Sequence, residues 1–242
     1  MRIVAKSDKG LVRQTNQDAY AISDSNESYA WAVVCDGMGG AAGGNVASRL
    51  AVDVISEKIS TTYNENMRDS SVRNMLECAI SAANVEIYDM ACDNDDLMGM
   101  GTTVVCAVVR NNLVTIAHAG DSRAYLVTKN ELHQITVDHS YVQSLVDQGK
   151  ITQQEAINHP RKNYITRALG IEEYIEVEFD EVDIDNDCAI LLCSDGLSNF
   201  VSDKEILDCY NNLDFETFAD RLVDLSNDNG GKDNITAVAI SM

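Results

Sequence analysis

Three apolar runs in the sequence each stop at an aspartate beside a glycine: Trp31 to Cys35 before Asp36-Gly37, Ala189 to Cys193 before Ser194-Asp195-Gly196, and Leu113 to Ala119 before Gly120-Asp121. A short apolar run that ends this way delivers a carboxylate to a strand end, where the chain turns and water reaches it. Asp18 precedes the run Ala19 to Ile22, and Asp233, in Gly-Gly-Lys-Asp-Asn, precedes Ile235 to Ile240. If those strand ends meet, five acidic side chains converge, and such a cluster is stable only when a cation neutralises it. Carboxylate oxygens without His or Cys beside them suit Mg²⁺ or Mn²⁺ better than Zn²⁺. Two such ions about 3.5 to 4 Å apart acidify a shared water and clamp a phosphoryl group for in-line attack. That chemistry also needs a cation on the phosphate, and Arg13, just upstream of Asp18, offers a planar guanidinium for it. Neither an HExxH pair nor a Gly-x-x-x-x-Gly-Lys-Ser/Thr loop is present, so zinc-protease and nucleotide-loop chemistry are disfavoured.

The elements that must position these groups are legible in outline. Asn45 to Ser60 carries Val46, Leu50 and Val54 alongside Ala47, Ala51 and Ile55 at spacings of four, which predicts an amphipathic helix, with Asn45 as its N-cap. Val72 to Met90 repeats the pattern and predicts a second helix packed beside the first. Three β-rich runs follow, Val104 to Val109, Leu113 to Ala119 and Ala124 to Thr128, with Asn111-Asn112 as a tight turn between the first two. From Tyr141 to Ala168 the sequence turns polar and contains the single proline, Pro160; such a stretch is expected to leave the core as an excursion. Helices are expected at Asp203 to Tyr210 and Phe215 to Leu225, before the closing strand. Helices in adjacent pairs among more numerous strands predict an α+β layering rather than βαβ alternation.

A chain of 242 residues, 45% of them hydrophobic, can bury one large core, and a single domain spanning residues 1–242 is the expectation. Its apolar stretches fall well short of the roughly 20 residues needed to span a bilayer, and the N-terminus lacks the apolar core of a secretory signal. A soluble, cytoplasmic protein is expected. The seven cysteines, an odd number without Cys-x-x-Cys spacing, are expected to be reduced core thiols. A net charge of −21 argues against nucleic-acid backbones and anionic membranes as partners, because both are bound through Lys and Arg.

The segments Arg13 to Asp18, Asp36-Gly37-Met38-Gly39-Gly40, Gly101-Thr102-Thr103, Ala119 to Arg123, Asp138-His139-Ser140, Thr166 to Gly170, Ser194 to Leu197 and Gly231 to Asn234 occur in the order seen in the PPM family, the protein phosphatase 2C type. The chain resembles that family over Arg13 to Ile240, and most closely its compact bacterial members. The resemblance implies a central β-sandwich of two antiparallel sheets flanked by pairs of helices, with Mn²⁺ or Mg²⁺ at one edge and a flap, about residues 141–168, beside them. It implies that Asp36 bridges two core ions, that the carbonyl of Gly37 ligates one, and that Asp195 and Asp233 complete the other. Asp18 would hold metal-bound water, Asp121 with Asp195 would bind a third ion, and Arg13 would bind phosphate. The implied activity is one-step hydrolysis of phosphoserine and phosphothreonine in proteins by a hydroxide bridging the metals, reversing a bacterial Ser/Thr kinase, with a monomer as the default state.

One position departs from part of the family. Members with Asp-Gly-His-Gly-Gly have a histidine proposed to protonate the leaving alkoxide, whereas this chain has Met38, which has no proton to give. The expected donor is then a metal-bound water near Asp121. The same departure keeps a second class open, a metal-binding pseudophosphatase that recognises phosphoproteins without turnover. A Ca²⁺-binding scaffold would explain the aspartates but not Arg13 or the Gly-Thr-Thr segment. Among the histidines, His118 is expected to be a satisfied core residue and His139 to fix a loop. Arg161, after His159-Pro160, is either a contact for a phosphopeptide or a solvated flap charge.

Overall fold

The computed structural model describes residues 1–24, 28–185 and 187–242. Eleven described strands form two antiparallel sheets. The first contains β1 (Arg2–Asp8), β11 (Ile235–Ser241), β10 (Ala189–Cys193), β7 (Arg123–Val127) and β8 (Leu132–Gln134), in that order. The second runs β2 (Asp18–Ile22), β3 (Tyr29–Met38), β5 (Val104–Arg110), β6 (Leu113–Ala119), β9 (Glu178–Asp183), with the two-residue β4 (Gly101–Thr102) paired to the end of β3.

The central strands bury both faces, which is why they read as continuous apolar runs rather than alternating ones. Ala30, Ala32 and Val34 of β3 point between the sheets and meet Ile190, Leu192, Val238 and Ile240 of the other sheet. The intervening Trp31, Val33 and Cys35 face outward against α1 (Gly40–Thr62) and α2 (Asp69–Asp93). On the opposite outer face, Leu191, Cys193, Ala237 and Ala239 pack under α5 (Asp195–Ser198), α6 (Asp203–Asn212) and α7 (Phe218–Asp228). The result is helices, sheet, sheet, helices, the layering expected of α+β sequence. Asn111 and Asn112, both at positive φ (48° and 64°), make the tight turn between β5 and β6. The seven cysteines are all free; five are buried as expected, whereas Cys78 and Cys92 are exposed on the outer side of α2 rather than in the core. No helix among the described residues is long and apolar enough to cross a membrane.

Several helix boundaries differ from expectation by a few residues, two of them at starts with an identifiable cause. Helix α1 begins at Gly40, with Gly39 (φ 114°) at the cap position and no side-chain cap. Asn45 is therefore inside the helix, and its Oδ1 is buried without a hydrogen-bond partner. Backbone approach starts this helix early: a Cβ on Gly37 would lie 2.0 Å from the carbonyl oxygen of Gly44, so two glycines let the first turn of α1 rest on the end of β3. The second difference lies at α7, which begins at Phe218 after a 3₁₀ turn over Phe215–Thr217.

The 141–168 segment leaves the sandwich as a hairpin of two short helices, α3 (Tyr141–Asp147) and α4 (Gln153–Ile157). Its neck is closed by a β-bridge between Ser140 and Ile165 and by Tyr141 N donating to Tyr164 O (2.7 Å). The chain then crosses back along α2, where the buried side chain of Asn84 secures it. Asn84 Nδ2 donates to the carbonyls of Glu172 and Glu173 (both 3.0 Å), and its Oδ1 accepts from Gly170 N (2.9 Å). Asn84→Ala strands three loop groups at once. It is expected to cost about 1–3 kcal/mol, read in urea as a lower unfolding midpoint at unchanged slope.

Candidate active site

The five aspartates are positioned by the strand ends that carry them. In the β2–β3 register Asp18 lies directly opposite Asp36. The main chain of Asp36 is clamped on both sides: its N–H donates to Thr103 Oγ1 (3.0 Å), and its carbonyl accepts from Thr103 N and Thr102 Oγ1 (both 2.9 Å). That is the work of the Gly-Thr-Thr segment. Asp195 opens α5, and its Oδ2 accepts from Asn199 Nδ2 (3.0 Å). Asp233 precedes β11 and Asp121 follows Gly120 (φ 116°) beyond β6.

These groups share one cleft of about 810 Å³, lined by Arg13, Asp36, Gly37, Met38, Thr103, Asp121, Asn163, Asp195 and Asp233 among others. Asp18 is not in its wall but beneath it, 6% exposed. Asp18 Oδ2 accepts from Ser194 Oγ and Thr236 Oγ1, both at 2.7 Å, while Oδ1 is buried without a partner. Arg13 Nη2 donates to Asp233 Oδ2 (2.8 Å) at the other side of the cleft.

Electrostatically, the cluster is held in a state it cannot sustain alone. Burial, and then the neighbouring carboxylates, push Asp18 up to about 7, Asp195 up to about 6 and Asp121 up to about 8. Burial and four surrounding aspartates push Asp36 well above its ordinary value. Like charges at this spacing cannot all ionise without a counter-cation. The donor set is wholly carboxylate and carbonyl oxygen, and Asp18 Oδ1 lacks any protein donor, so the residues fit a hard divalent ion.

No role was expected of three contributing residues, although Asn234 and Ser194 lie within the segments that carry the family resemblance. Asn234, 4% exposed, ties the Arg13 segment down: its Nδ2 donates to Lys9 O and Thr15 O (both 2.9 Å) and its Oδ1 accepts from Gln17 N (2.8 Å). Ser194 and Thr236 hold Asp18, as described. Only their adjacency to Asp195 and to the Asp233-Asn234 pair could have pointed to them.

Met38 lines the cleft and also a small neighbouring pocket of about 130 Å³, whose wall mixes Ile165, Ile171 and Tyr174 with Arg167 and Glu172. Arg161 does not line the cleft; its guanidinium lies 5.5 Å over the Tyr141 ring within the flap. His159 Nδ1 accepts from Arg161 N (3.1 Å) and shapes that turn. His118 is buried as expected, with Nε2 on Val137 O (3.0 Å), but it is only half satisfied, since its Nδ1 is buried without a hydrogen-bond partner. Flap residues reach the cleft through Asn163 and Ile165. A second cleft of about 780 Å³ continues from the first past Asp121 and Asp195, between the flap and α6, with Lys162 and Lys204 on its walls.

Comparison with known proteins agrees with this architecture. The family model described as "Protein phosphatase 2C" matches residues 11–238. The chain is 38% identical over 238 residues to a serine/threonine phosphatase stp of Listeria monocytogenes, covering 97% of this chain and 93% of that one. The serine/threonine phosphatase structure from S. agalactiae superposes with a TM-score of 0.92 at 31% identity, over 100% of this chain and 99% of that one. The catalytic domain of the serine/threonine protein phosphatase PstP in complex with two manganese ions superposes with a TM-score of 0.84 at 36% identity, over 98% and 96% of the two chains. With its sandwich, its helix pairs and its strand-end aspartates in one cleft, the chain belongs to the protein phosphatase 2C, or PPM, family.

Proposed function

We propose that this chain is a metal-dependent protein serine/threonine phosphatase. The observation that carries the proposal is the convergence of four carboxyls in one cleft, with a fifth directly beneath, where among the described residues Arg13 carries the only guanidinium in the wall. A phosphomonoester dianion would be repelled by such a wall unless cations stood between. Two divalent ions, when bound, would supply both an acidified water and positive charge for the phosphoryl oxygens. Asp36, Asp195, Asp233 and the Gly37 carbonyl are the groups to hold them, with Asp121 and Asp195 as the pair for a third. The curated relatives are named serine/threonine phosphatases, and one solved neighbour holds two manganese ions.

The protein's own groups have distinct tasks. Asp18, fixed by two hydroxyl donors on Oδ2, keeps its buried Oδ1 without a protein partner and so has an acceptor left to orient water. Arg13 reaches the cleft from a segment pinned by Asn234 and offers a planar pair of N–H donors to the phosphoryl oxygens. Thr102 and Thr103 keep Asp36 from shifting as charge develops. Met38 contributes an apolar wall and no proton. The reaction needs no protein nucleophile, so no phosphoenzyme forms. The setting we propose is a monomer of one domain in the cytoplasm, where its thiols stay reduced, opposing a Ser/Thr kinase.

Two outcomes test this. A phosphothreonine peptide should release phosphate in Mn²⁺ but not in EDTA. Asp195→Ala should lower the rate by about 10³-fold or more, and Arg13→Ala should lower kcat/KM by about 10- to 100-fold. A folded, Mn²⁺-loaded protein that releases nothing would sink the proposal in favour of a binding protein without turnover.

The second outcome concerns stability. The cluster carboxyls titrate higher in the folded protein than in the unfolded chain, so between about pH 4 and about pH 8 the folded state binds more protons. Stability from these groups is present at the acidic end and lost as pH rises through that window. Without divalent ions the melting temperature is therefore expected to fall across the window, and saturating Mn²⁺ should flatten or reverse the slope. A metal-free melting temperature that rises over the same range would contradict the cluster's placement.

A further inference from the structure

His118, His139 and Glu178 form a cluster outside the carboxylate cleft, with one potential ligand atom from each within 4.8 Å of the others. Two histidines and a glutamate suggest a transition metal, but the hydrogen bonds assign the protons otherwise. Gly120 N lies 3.0 Å from His139 Nδ1, and a backbone N–H can only donate. His139 Nδ1 is therefore the lone-pair nitrogen, and in the neutral ring Nε2 carries the hydrogen, which it gives to Glu178 Oε2 (2.5 Å). His118 likewise spends its Nε2 hydrogen on Val137 O, and Arg167 Nη1, which can only donate, stands 3.1 Å from His139 Nε2 and finds no acceptor there in this tautomer, its Nη2 being held by Glu176. A metal would have to displace both protons beside an arginine.

The same contacts converge on the turn that carries Asp121. The β5–β6 ladder ends at the pair Val104–Ala119 and the β6–β9 ladder at His118–Glu178, so the N–H of Gly120 lies past both and needs another acceptor. The His139 ring provides it, and His139 N donates to Gly120 O (2.9 Å), so the peptide units on either side of Gly120 are both held by one residue. Gly120 also sits on Thr103, since an added Cβ would meet the Thr103 side chain at 2.6 Å, and Thr103 is the residue that clamps Asp36. Meanwhile His139 O accepts from Thr166 N (2.8 Å) at the neck of the flap. The His118 ring, stacked at 4.6 Å and 8°, keeps the His139 ring in plane. Burial pushes His139 below its ordinary value, which favours the neutral ring this geometry requires.

We infer that His139 is a positioning residue of the cleft: its Nδ1 lone pair fixes the Ala119–Gly120 peptide while its main-chain N–H fixes the next one, and together they set the direction of the Asp121 carboxyl; Glu178 sets the tautomer of the ring, and the His139 carbonyl holds the flap neck. The inference rests on the placement of Asp121 among the metal-holding groups proposed above.

The test compares His139→Ala with His139→Asn, because the Asn Oδ1 stands where Nδ1 stood and can accept from Gly120 N–H, whereas both variants keep the main-chain bonds. His139→Ala should lower kcat by about 10- to 100-fold with KM within about twofold. In Mn²⁺ titration by calorimetry it should weaken the lowest-affinity binding event by about tenfold and leave the tighter events in place. His139→Asn should recover most of both losses. Equal impairment of the two variants would overturn the inference, as would an Ala variant with wild-type kcat and Mn²⁺ isotherm. Loss of one tightly held Zn²⁺ on substitution would overturn it in favour of a metal site. Should the Ala variant fail to fold, a folded Asn variant with near wild-type kcat and isotherm upholds it and an impaired one overturns it. A wild-type protein inactive with Mn²⁺ would count against the phosphatase proposal, and the isotherms would still read the role of His139.

Discussion

One carboxylate joins the two sheets at the functional edge. Asp18 belongs to β2 of the second sheet, yet both donors to its Oδ2, Ser194 Oγ and Thr236 Oγ1, come from the β10 and β11 side of the first. Ser194 Oγ in turn accepts from Thr236 N (3.0 Å), so the network is closed and short. Elsewhere the sheets meet through aliphatic side chains, which fix spacing but tolerate sliding. At this edge they meet through directional, charge-assisted bonds, and those bonds set where Asp36, opposite Asp18, stands relative to Asp195 and Asp233. A buried, half-satisfied carboxylate is costly to fold, so the cleft stores an unfavourable arrangement that a cation relieves.

What was legible in the sequence follows from burial. β3, β5, β6, β10 and β11 are covered on both faces, so each appears as an unbroken apolar run, and the aspartates that end or precede them mark the cleft. β1, β8 and β9 carried no such mark, and all three are edge strands. Glu178–Asp183 reads as an acidic loop, and those charges suit an exposed edge that must not pair with another chain. The cap of α1 was misplaced for a related reason: apolar periodicity begins near Asn45, but the helix begins where Gly37 and Gly44 allow two backbones to touch, and glycine leaves no periodic trace. Ser194 and Asn234 stand in the segments that carry the family resemblance, but their roles, like that of Thr236, were not legible, because a polar residue in a buried position announces itself only through its partners, which lie far away in sequence.

The histidines show the same limit from the other direction. Both His118 and His139 could be assigned to packing and loop fixation from their neighbours in sequence, but not to one another. Their stacking arises because β6 ends beside the loop that leads into the flap, a topological fact. Once the rings are parallel and the Gly120 N–H is spoken for, the tautomer of His139 is set by that donor on Nδ1 and the Glu178 carboxylate on Nε2, against the Arg167 donor that also approaches Nε2.

Net charge is the remaining constraint on how the cleft can work. At −21 the protein repels anions at long range, but at physiological ionic strength that repulsion decays over about 8 Å. Selection of a phosphorylated side chain must then come from charges at contact distance. Arg13 is the guanidinium in the cleft wall, and it is already engaged with Asp233. Its positive charge is therefore offset locally unless that carboxylate has another cation to neutralise. Metal affinity and phosphate affinity are thus thermodynamically linked through one salt bridge: whatever satisfies Asp233 frees Arg13, and whatever draws Arg13 onto an anion leaves Asp233 more available to a metal.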